Sequence, residues 1–439
     1  MSLRLSFFSR SRVLLATLFV VLTAAFMSAQ VIYSFQPRTK RGDGADPLGA
    51  LVVDSSGVFY GLASGGGKRG LGAVFELAPP TSAGGSWMEE TIYNFSGSTI
   101  SGSTPLGTLY MDAHGNLYGT TSAGQPYGPA GYERWSYGTA FELLHRSVFG
   151  APWKAKLLNY FAYRPVATNG SFVSDGTNLY ATGSGGSGVA YGTCNFNGCG
   201  TVVKLSPPAA GKSEWAPHVV RDFGASLGDG VNPAINLVMA NGVMYGTTIQ
   251  GGKNGFGRIF ELVENNGGWT GYTLHDLAFD EGQAPLGRLA LDAAGNIYGT
   301  AYVGGIANCQ FGCGSIFRLS PPAVAGGPWI ETTLYKFTGN ADGGNPQGGV
   351  ILDSAGNLYG TASTGGTGFG TVYKLVPPQT AGGAWTEVTL YSFAGQPSDG
   401  STPLGELLMV NGMLYGTTSL GGSENSGTIF AVSPSPTRR

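Results

Sequence analysis

The sequence predicts an all-β fold: a seven-bladed β-propeller of four-stranded blades, closed by an N-terminal strand that completes the last blade. Three observations predict it. A segment of the type G-N-L-Y-G-T recurs seven times, with its tyrosines at Tyr60, Tyr118, Tyr180, Tyr245, Tyr298, Tyr359 and Tyr415 and gaps of 58, 62, 65, 53, 61 and 56 residues. Each copy carries three further short segments, rich in β-branched and aromatic residues and bounded by Gly, Pro, Asn or Asp, which are strand and turn signals. Outside the leader no stretch has the helical 3.6-residue period. A repeat of roughly 40–60 residues holding four strands is the signature of a propeller blade.

The four segments of a copy follow in a constant order. First comes P-L-G-x-L-x-x-D, as in Pro47 to Asp54 and Pro285 to Asp292, expected as the innermost strand. A turn follows, begun by Asp54, Asp112, Asp292 or Asp353; copies four and seven use Asn241-Gly242 and Asn411-Gly412 instead, a hairpin signal. The Asp is read as a turn residue that accepts backbone N–H groups. The LYGT strand is second, and its tyrosines are read as packing between blades rather than as sugar platforms. The third strand is G-T-V-F-E-L, as in Gly72 to Leu77 and Gly370 to Leu375. The outer strand is W-x-E-x-x-L-Y-x-F, with Trp87, Trp153, Trp215, Trp269, Trp329 and Trp385 each eight residues before Phe95, Phe161, Phe223, Leu277, Phe337 and Phe393. An even spacing places the two ends on one face of a strand.

Closure follows from the ends of the repeat. A truncated outer strand, Val31-Ile32-Tyr33-Ser34-Phe35, precedes the first copy, and no Trp strand follows Gly427 to Val432. Pairing the two completes the last blade and removes its open edge.

Residues 1–12 hold Arg4, Arg10 and Arg12 and no acid, and Val13 to Met27 is uncharged and apolar. This is a secretory signal pattern, too short for a membrane span of about 20 residues. The expected division is a signal peptide at 1–29, the propeller at 30–433 and a short tail at 434–439, in a secreted or periplasmic protein. Without the leader the chain carries 21 basic and 26 acidic residues, a net charge of −5. So few cations exclude a nucleic-acid footprint. The 75 glycines lack a three-residue period, which excludes collagen.

The combination GNLYGTTSAGG, GTVFEL and GGxWxExxLYxF, repeated from about Val31 to Val432, resembles the GloVer tandem repeat of exported bacterial proteins. That resemblance implies export, commonly with a C-terminal surface anchor, and no established reaction. The chain ends SPSPTRR, without a hydrophobic tail or sorting motif, so free export is expected.

Candidate sites are sought where the repeat breaks, because repeated residues serve the fold. The largest break is Gly124 to Gly138, the second-to-third-strand loop of copy two. It holds Tyr127, Tyr132, Glu133, Arg134, Trp135 and Tyr137, aromatic platforms beside polar groups, which suit a sugar or a protein partner. The corresponding loops of copies three and five hold Cys194 with Cys199 and Cys309 with Cys313, read as two local disulfides worth roughly 2 kcal/mol each. Asp43, Asp229, Asp342 and Asp399, with Asp280 in a variant, recur before the innermost strand; they are read as turn residues, one Asp per loop being few ligands for calcium. No metal, cofactor or catalytic motif is expected. The functional expectation is a binding or scaffold module for an extracellular glycan or protein; the alternative is a secreted hydrolase or lyase acting on polysaccharide. An enzyme would require two poised carboxylates, for which the off-repeat acids Glu133, Asp276, Glu281 and Glu424 are the pool.

Overall fold

A computed structural model describes residues 29–36, 42–82, 84–98, 101–123, 138–146, 151–161, 170–183, 198–226, 228–305, 309–324, 326–380 and 382–435. Their regular structure is entirely β: seven antiparallel sheets of four strand positions, six of them in sequence order, form a seven-bladed propeller, and a two-stranded ribbon of Gly400–Ser401 and Leu420–Gly421 pairs separately from them. Blade 5 shows the pattern: Ala290–Leu291 innermost, then Ile297–Ala301, Ser315–Ser320 and Ile330–Lys336 outermost. In blades 1 and 4 the innermost strand is split, as Gly44–Pro47 with Val52–Val53 and as Gly230–Pro233 with Val238–Ala240. Among the described residues no helix is long and apolar enough to cross a membrane.

The last blade is closed as expected. Its own strands Leu408–Val410, Met413–Thr418 and Thr428–Val432 are joined by Ala29–Ser34, which pairs antiparallel with Thr428–Val432 in the register Val31 to Phe430 and Tyr33 to Ile429. The Phe35 N–H donates to the Gly427 carbonyl at 3.1 Å. The equivalent bond within a continuous blade runs from Phe95 to Gly72 or from Phe337 to Gly314, at 3.1 and 3.0 Å. The imported strand therefore repeats the geometry of a native one.

Two residue choices in the repeat follow from close approach. The Gly of LYGT sits directly opposite the aromatic residue of the third strand, as Gly299 opposite Phe317 and Gly61 opposite Phe75. A Cβ on Gly299 would lie 2.4 Å from the Phe317 ring, so only glycine leaves room for it. Copy three makes the exception in both partners: Ala181 stands opposite Val203. The Gly of P-L-G lies where neighbouring innermost strands converge on the axis. A Cβ there would fall 1.9 Å from the Gly107 carbonyl at Gly49, and 2.6 Å from the Gly49 carbonyl at Gly405. The LYGT threonine of one blade then hydrogen-bonds the next blade's innermost strand, as Thr300 to the Gly348 carbonyl at 2.9 Å and Thr417 to the Gly49 carbonyl at 3.0 Å.

The outer strand corrects one expectation. Trp and Phe do not share a face, because each outer strand carries a β-bulge at the residue before its Tyr or the residue replacing it. In blade 1 Thr91 pairs with Phe75 and Tyr93 with Val74, leaving Ile92 as the extra residue; blades 5 and 6 bulge at Leu334 and Leu390. One extra residue inverts the alternation beyond it. The Trp ring thus packs back on the preceding blade's LYGT tyrosine, as Trp153 on Tyr60 at 5.7 Å and Trp269 on Tyr180 at 5.5 Å. The Phe packs forward on the next blade, as Phe95 on Phe141 at 5.3 Å and Phe393 on Phe430 at 5.0 Å. Each outer strand so binds two neighbours, and the tyrosines are seam core as the sequence suggests.

Candidate functional site

The turn acids hold backbone. In five copies Asp Oδ1 accepts N–H groups two to four residues on, while Oδ2 accepts the LYGT tyrosine hydroxyl: Tyr60 to Asp54 at 3.0 Å, Tyr118 to Asp112 at 3.1 Å, Tyr180 to Asp175 at 2.8 Å, Tyr298 to Asp292 at 3.0 Å and Tyr359 to Asp353 at 2.9 Å. Burial alone would raise these carboxyls, but the hydrogen bonds outweigh it and all five are lowered, Asp175 to about 2. Each tyrosine is raised in turn, by burial first and then by the carboxylate it bonds.

The second set of acids anchors the loops between blades. The residue two before the outer-strand Phe reaches the acid of the following loop: Tyr335 to Asp342 at 3.0 Å, Tyr391 to Asp399 at 2.7 Å and Tyr33 to Asp43 at 3.0 Å. Where one or both members of the Tyr–Asp pair are replaced, the contact is kept. Arg221 meets Asp229 at 2.9 Å, and His275 meets Glu281 at 2.8 Å. Tyr93 meets Ser101 at 3.0 Å. Asp280 is not the anchor in its variant loop; Glu281 beside it is.

Three of these seams also receive the Glu of W-x-E from the next blade. Burial raises Glu89 to about 8 and Glu331 and Glu387 to about 7, reinforced by the neighbouring acids Asp43, Glu281 and Asp342 respectively. An acid raised in the fold stabilises it below about pH 4 and loses that contribution as the pH climbs through 7 to 8. The turn aspartates act oppositely, losing theirs as the pH falls below about 4. The raised glutamates depart further from their ordinary value. Thermal unfolding is therefore expected at a higher temperature at pH 5 than at pH 8.5, by roughly 3–6 °C after allowing for solvent screening. Glu89→Gln should flatten part of that slope; an unfolding temperature that rises steadily to pH 8.5 would contradict it.

Two sets of loops share one face of the propeller: those entering the innermost strands and those joining second to third strands. Backbone bonds tie them, as from Gly252 to the Asp229 carbonyl at 2.9 Å and from Gly422 to the Asp399 carbonyl at 2.7 Å. The Cys309–Cys313 disulfide closes one of these loops, and Cys199 is disulfide-bonded in another; Cys194 lies outside the described residues. Tyr127, Tyr132, Glu133, Arg134, Trp135 and Tyr137 also lie outside them, between Ala123 and Gly138. The exposed phenylalanines of this face among the described residues are Phe311 at the tip of the disulfide loop, 71% exposed at φ 67°, Phe279, 47% exposed, and Phe369, 43% exposed. The Phe256 ring supports Phe279 at 5.8 Å, and the carbonyls of Phe311 and Phe279 accept from the adjacent Gly304 and Gly305.

The axis holds the residues that sequence reading missed. The x of P-L-G-x-L, aligned across copies, is Ala50, Thr108, Ser171, Asn236, Arg288, Gly349 and Glu406: a different residue in each blade, while the residue before it is Gly in six of seven. These seven form a waist in the central channel. On the loop side lies a cavity of about 340 Å³ walled by Leu48, Leu106, Leu286 and Leu404, and beyond the waist lies one of about 530 Å³; Thr108, Asn236 and Glu406 line both. The waist is partly laced. Ala50 N donates to Thr108 Oγ1 at 3.1 Å, Thr108 N to Ser171 Oγ at 2.8 Å, and Ser171 Oγ to Asn236 Oδ1 at 2.8 Å. Arg288 reaches Glu406 at 4.0 Å, past Gly349. Burial raises the Glu406 carboxyl to about 7, with Arg288 opposing. Comparing copies position by position at that x would have found the pair.

Among the described residues the off-repeat acids Asp276, Glu281 and Glu424 occupy separate places. Asp276 is held by Arg258 at 2.7 Å, Glu281 by His275, and Glu424 is exposed, while Glu133 lies outside the described residues. Among the described channel residues Glu406 is the only carboxylate. Among the described residues no cluster of three or more His, Cys, Asp or Glu is placed to hold a metal ion.

Comparison with solved structures supports the fold. A puromycin-hydrolyzing peptidase of Mycobacterium tuberculosis aligns at 14% identity and a TM-score of 0.50, over 89% of this chain and 52% of that one. The Pseudomonas aeruginosa periplasmic gluconolactonase PpgL aligns at 12% identity and a TM-score of 0.47, over 78% of this chain and 84% of that one. No curated protein sequence matches the chain. The model of the Gloeobacter/Verrucomicrobia repeat matches residues 159–327 and 306–439. With most of its length so matched, and the same blade repeated throughout, the chain belongs to the Gloeobacter/Verrucomicrobia repeat family.

Proposed function

We propose that this is an exported binding propeller whose loop face receives an extracellular glycan. The observation that carries it is the placement of the exposed phenylalanines. Phe279, Phe311 and Phe369 are the exposed ones among the described residues, and all three stand in loops of the same face. An aromatic ring presented to water can stack on the apolar face of a sugar ring. The disulfide under Phe311 gives that ring a rigid mount. The arginine-bearing leader, the apolar run after it and the disulfides support export; cleavage after Ala29 would leave the strand pairing from Gln30 onward intact.

The test is retention of the protein on a panel of insoluble polysaccharides, comparing wild type with Phe311→Ala and Trp135→Ala, with released reducing ends assayed in the supernatant. Retention by at least one polymer is expected, weakened roughly three- to tenfold by Phe311→Ala, the worth of one aromatic contact. Product release would replace binding by catalysis, and no retention on any polymer would leave a protein partner as the reading.

A further inference from the structure

We infer that the loop-side cavity of the channel is a recess for a single neutral sugar residue, the end of a glycan chain, with the Glu406 carboxylate accepting its hydroxyls. This rests on the glycan reading of the loop face and assigns a second, deeper site. The position is singled out by the repeat itself: it differs in every blade, while the residue before it is Gly in six blades and the residue after it is Leu in five.

The chemistry of the recess has two sides. Its wall is mainly apolar, with four leucines, Ile235 and Ile249 interrupted by one polar side chain, Gln347, and its floor is polar. About 340 Å³ is at the small end of the range of ligand sites. A pyranose presents the same two sides, an apolar face of C–H groups and a rim of hydroxyls. The hydrogen-bond inventory of the floor is incomplete. Thr108 Oγ1 accepts from Ala50, which leaves its own proton to give. Asn236 uses Oδ1 for Ser171, and among the described residues its Nδ2 has no partner. Glu406 has only the 4.0 Å approach of Arg288 among them. One strong acceptor and two donors are therefore left facing the cavity, the complement of neighbouring hydroxyls.

Charge selects a neutral guest. Arg288 lies on the far side of the waist, lining only the larger cavity, and it balances Glu406. An anion in the recess would meet the carboxylate directly, and a cation would be opposed by the Arg288 charge just behind that carboxylate. Arg288 is thus a positioning residue that favours the ionised form of Glu406.

The test is calorimetric titration of the mature chain with neutral methyl pyranosides, with glucuronate and inorganic phosphate as anionic probes. One equivalent of at least one methyl pyranoside is expected to bind, more tightly than either anion. Glu406→Gln, which preserves shape, should weaken it about tenfold, and Asn236→Ala should weaken it about as much. Ile330→Ala, exposed on an outermost strand, should leave it unchanged. Affinity should rise with pH around neutrality, and Arg288→Met should move that rise to higher pH, which a purely structural role would not do. No binding by any methyl pyranoside, tighter binding of an anion, or affinity unaltered in Glu406→Gln would overturn the recess. Polysaccharide retention reads the loop face separately: retention that persists alongside any of those results would sink the recess and leave the loop-face reading standing.

Discussion

Gly299→Ala should destabilise the protein by about 3 kcal/mol, and Phe317→Val should restore much of that loss. The added methyl would lie 2.4 Å from the Phe317 ring and 2.9 Å from Leu289 Cδ2. Both side chains are buried, Phe317 completely, so neither can swing into solvent. Overpacking of a rigid core costs roughly 1–3 kcal/mol, and the absence of an escape rotamer puts this site at the upper end. Phe317→Val alone should cost about 2–3 kcal/mol as a large-to-small change. The double variant should cost less than the sum by at least about 1 kcal/mol, because the second change opens the space that the first requires. The protein already holds that pair as Ala181 opposite Val203. Denaturant unfolding of the four proteins measures the coupling; strict additivity would show that the two positions do not compete for one space.

Removing the strand Ala29–Ser34 together with Phe35 should have the largest effect of any change considered. It would strip the outer strand from the last blade, expose the edge of Thr428–Val432, and take Phe35 from its 5.1 Å contact with Phe75 of blade 1. Burial of that ring alone is worth about 3–5 kcal/mol by comparison with Phe→Ala changes in cores. An unpaired edge is also a template for other chains. The shortened protein is expected to lose cooperative thermal unfolding near the wild-type temperature and to elute from size exclusion as dimers or larger species. Phe35→Ala, which keeps the strand, should remain monomeric and lose only stability. A shortened protein that stays monomeric with an unchanged transition would show that the clasp is ornamental.

Much of the architecture was legible because the chain states it seven times. The LYGT tyrosines, the truncated strand at Val31 and the missing Trp strand after Val432 together imply the blade, its phase and its closure, and all three are present. The bulge at Ile92, Leu334 and Leu390 was not legible for the same reason. It recurs in every copy, so the Trp-to-Phe spacing never varies and looks like an unbroken alternation. The Asp-Gly loop acids were legible as loop residues but not as partners of the outer strand. Among the described residues only one blade replaces both partners together, His275 with Glu281, which is too little covariation to reveal that contact. The waist of the channel was passed over because a variable position inside a motif reads as unconstrained. In a ring around an axis it is the reverse: Arg288 and Glu406, 118 residues apart, meet across Gly349.

The clasp also sets an order in time. A chain is made from its N-terminus, so Val31 to Phe35 are among the first residues of the propeller to emerge and Thr428 to Val432 among the last. Six blades can assemble locally as they arrive, each needing only about 60 consecutive residues. The seventh cannot, because its outer strand waits for a partner some 400 residues downstream. Closing the ring is therefore the pairing of longest sequence separation in the propeller, the kind that carries the largest loop-closure cost. Until Thr428–Val432 is available, Ala29–Ser34 has no strand of its own blade to join and the ring stays open.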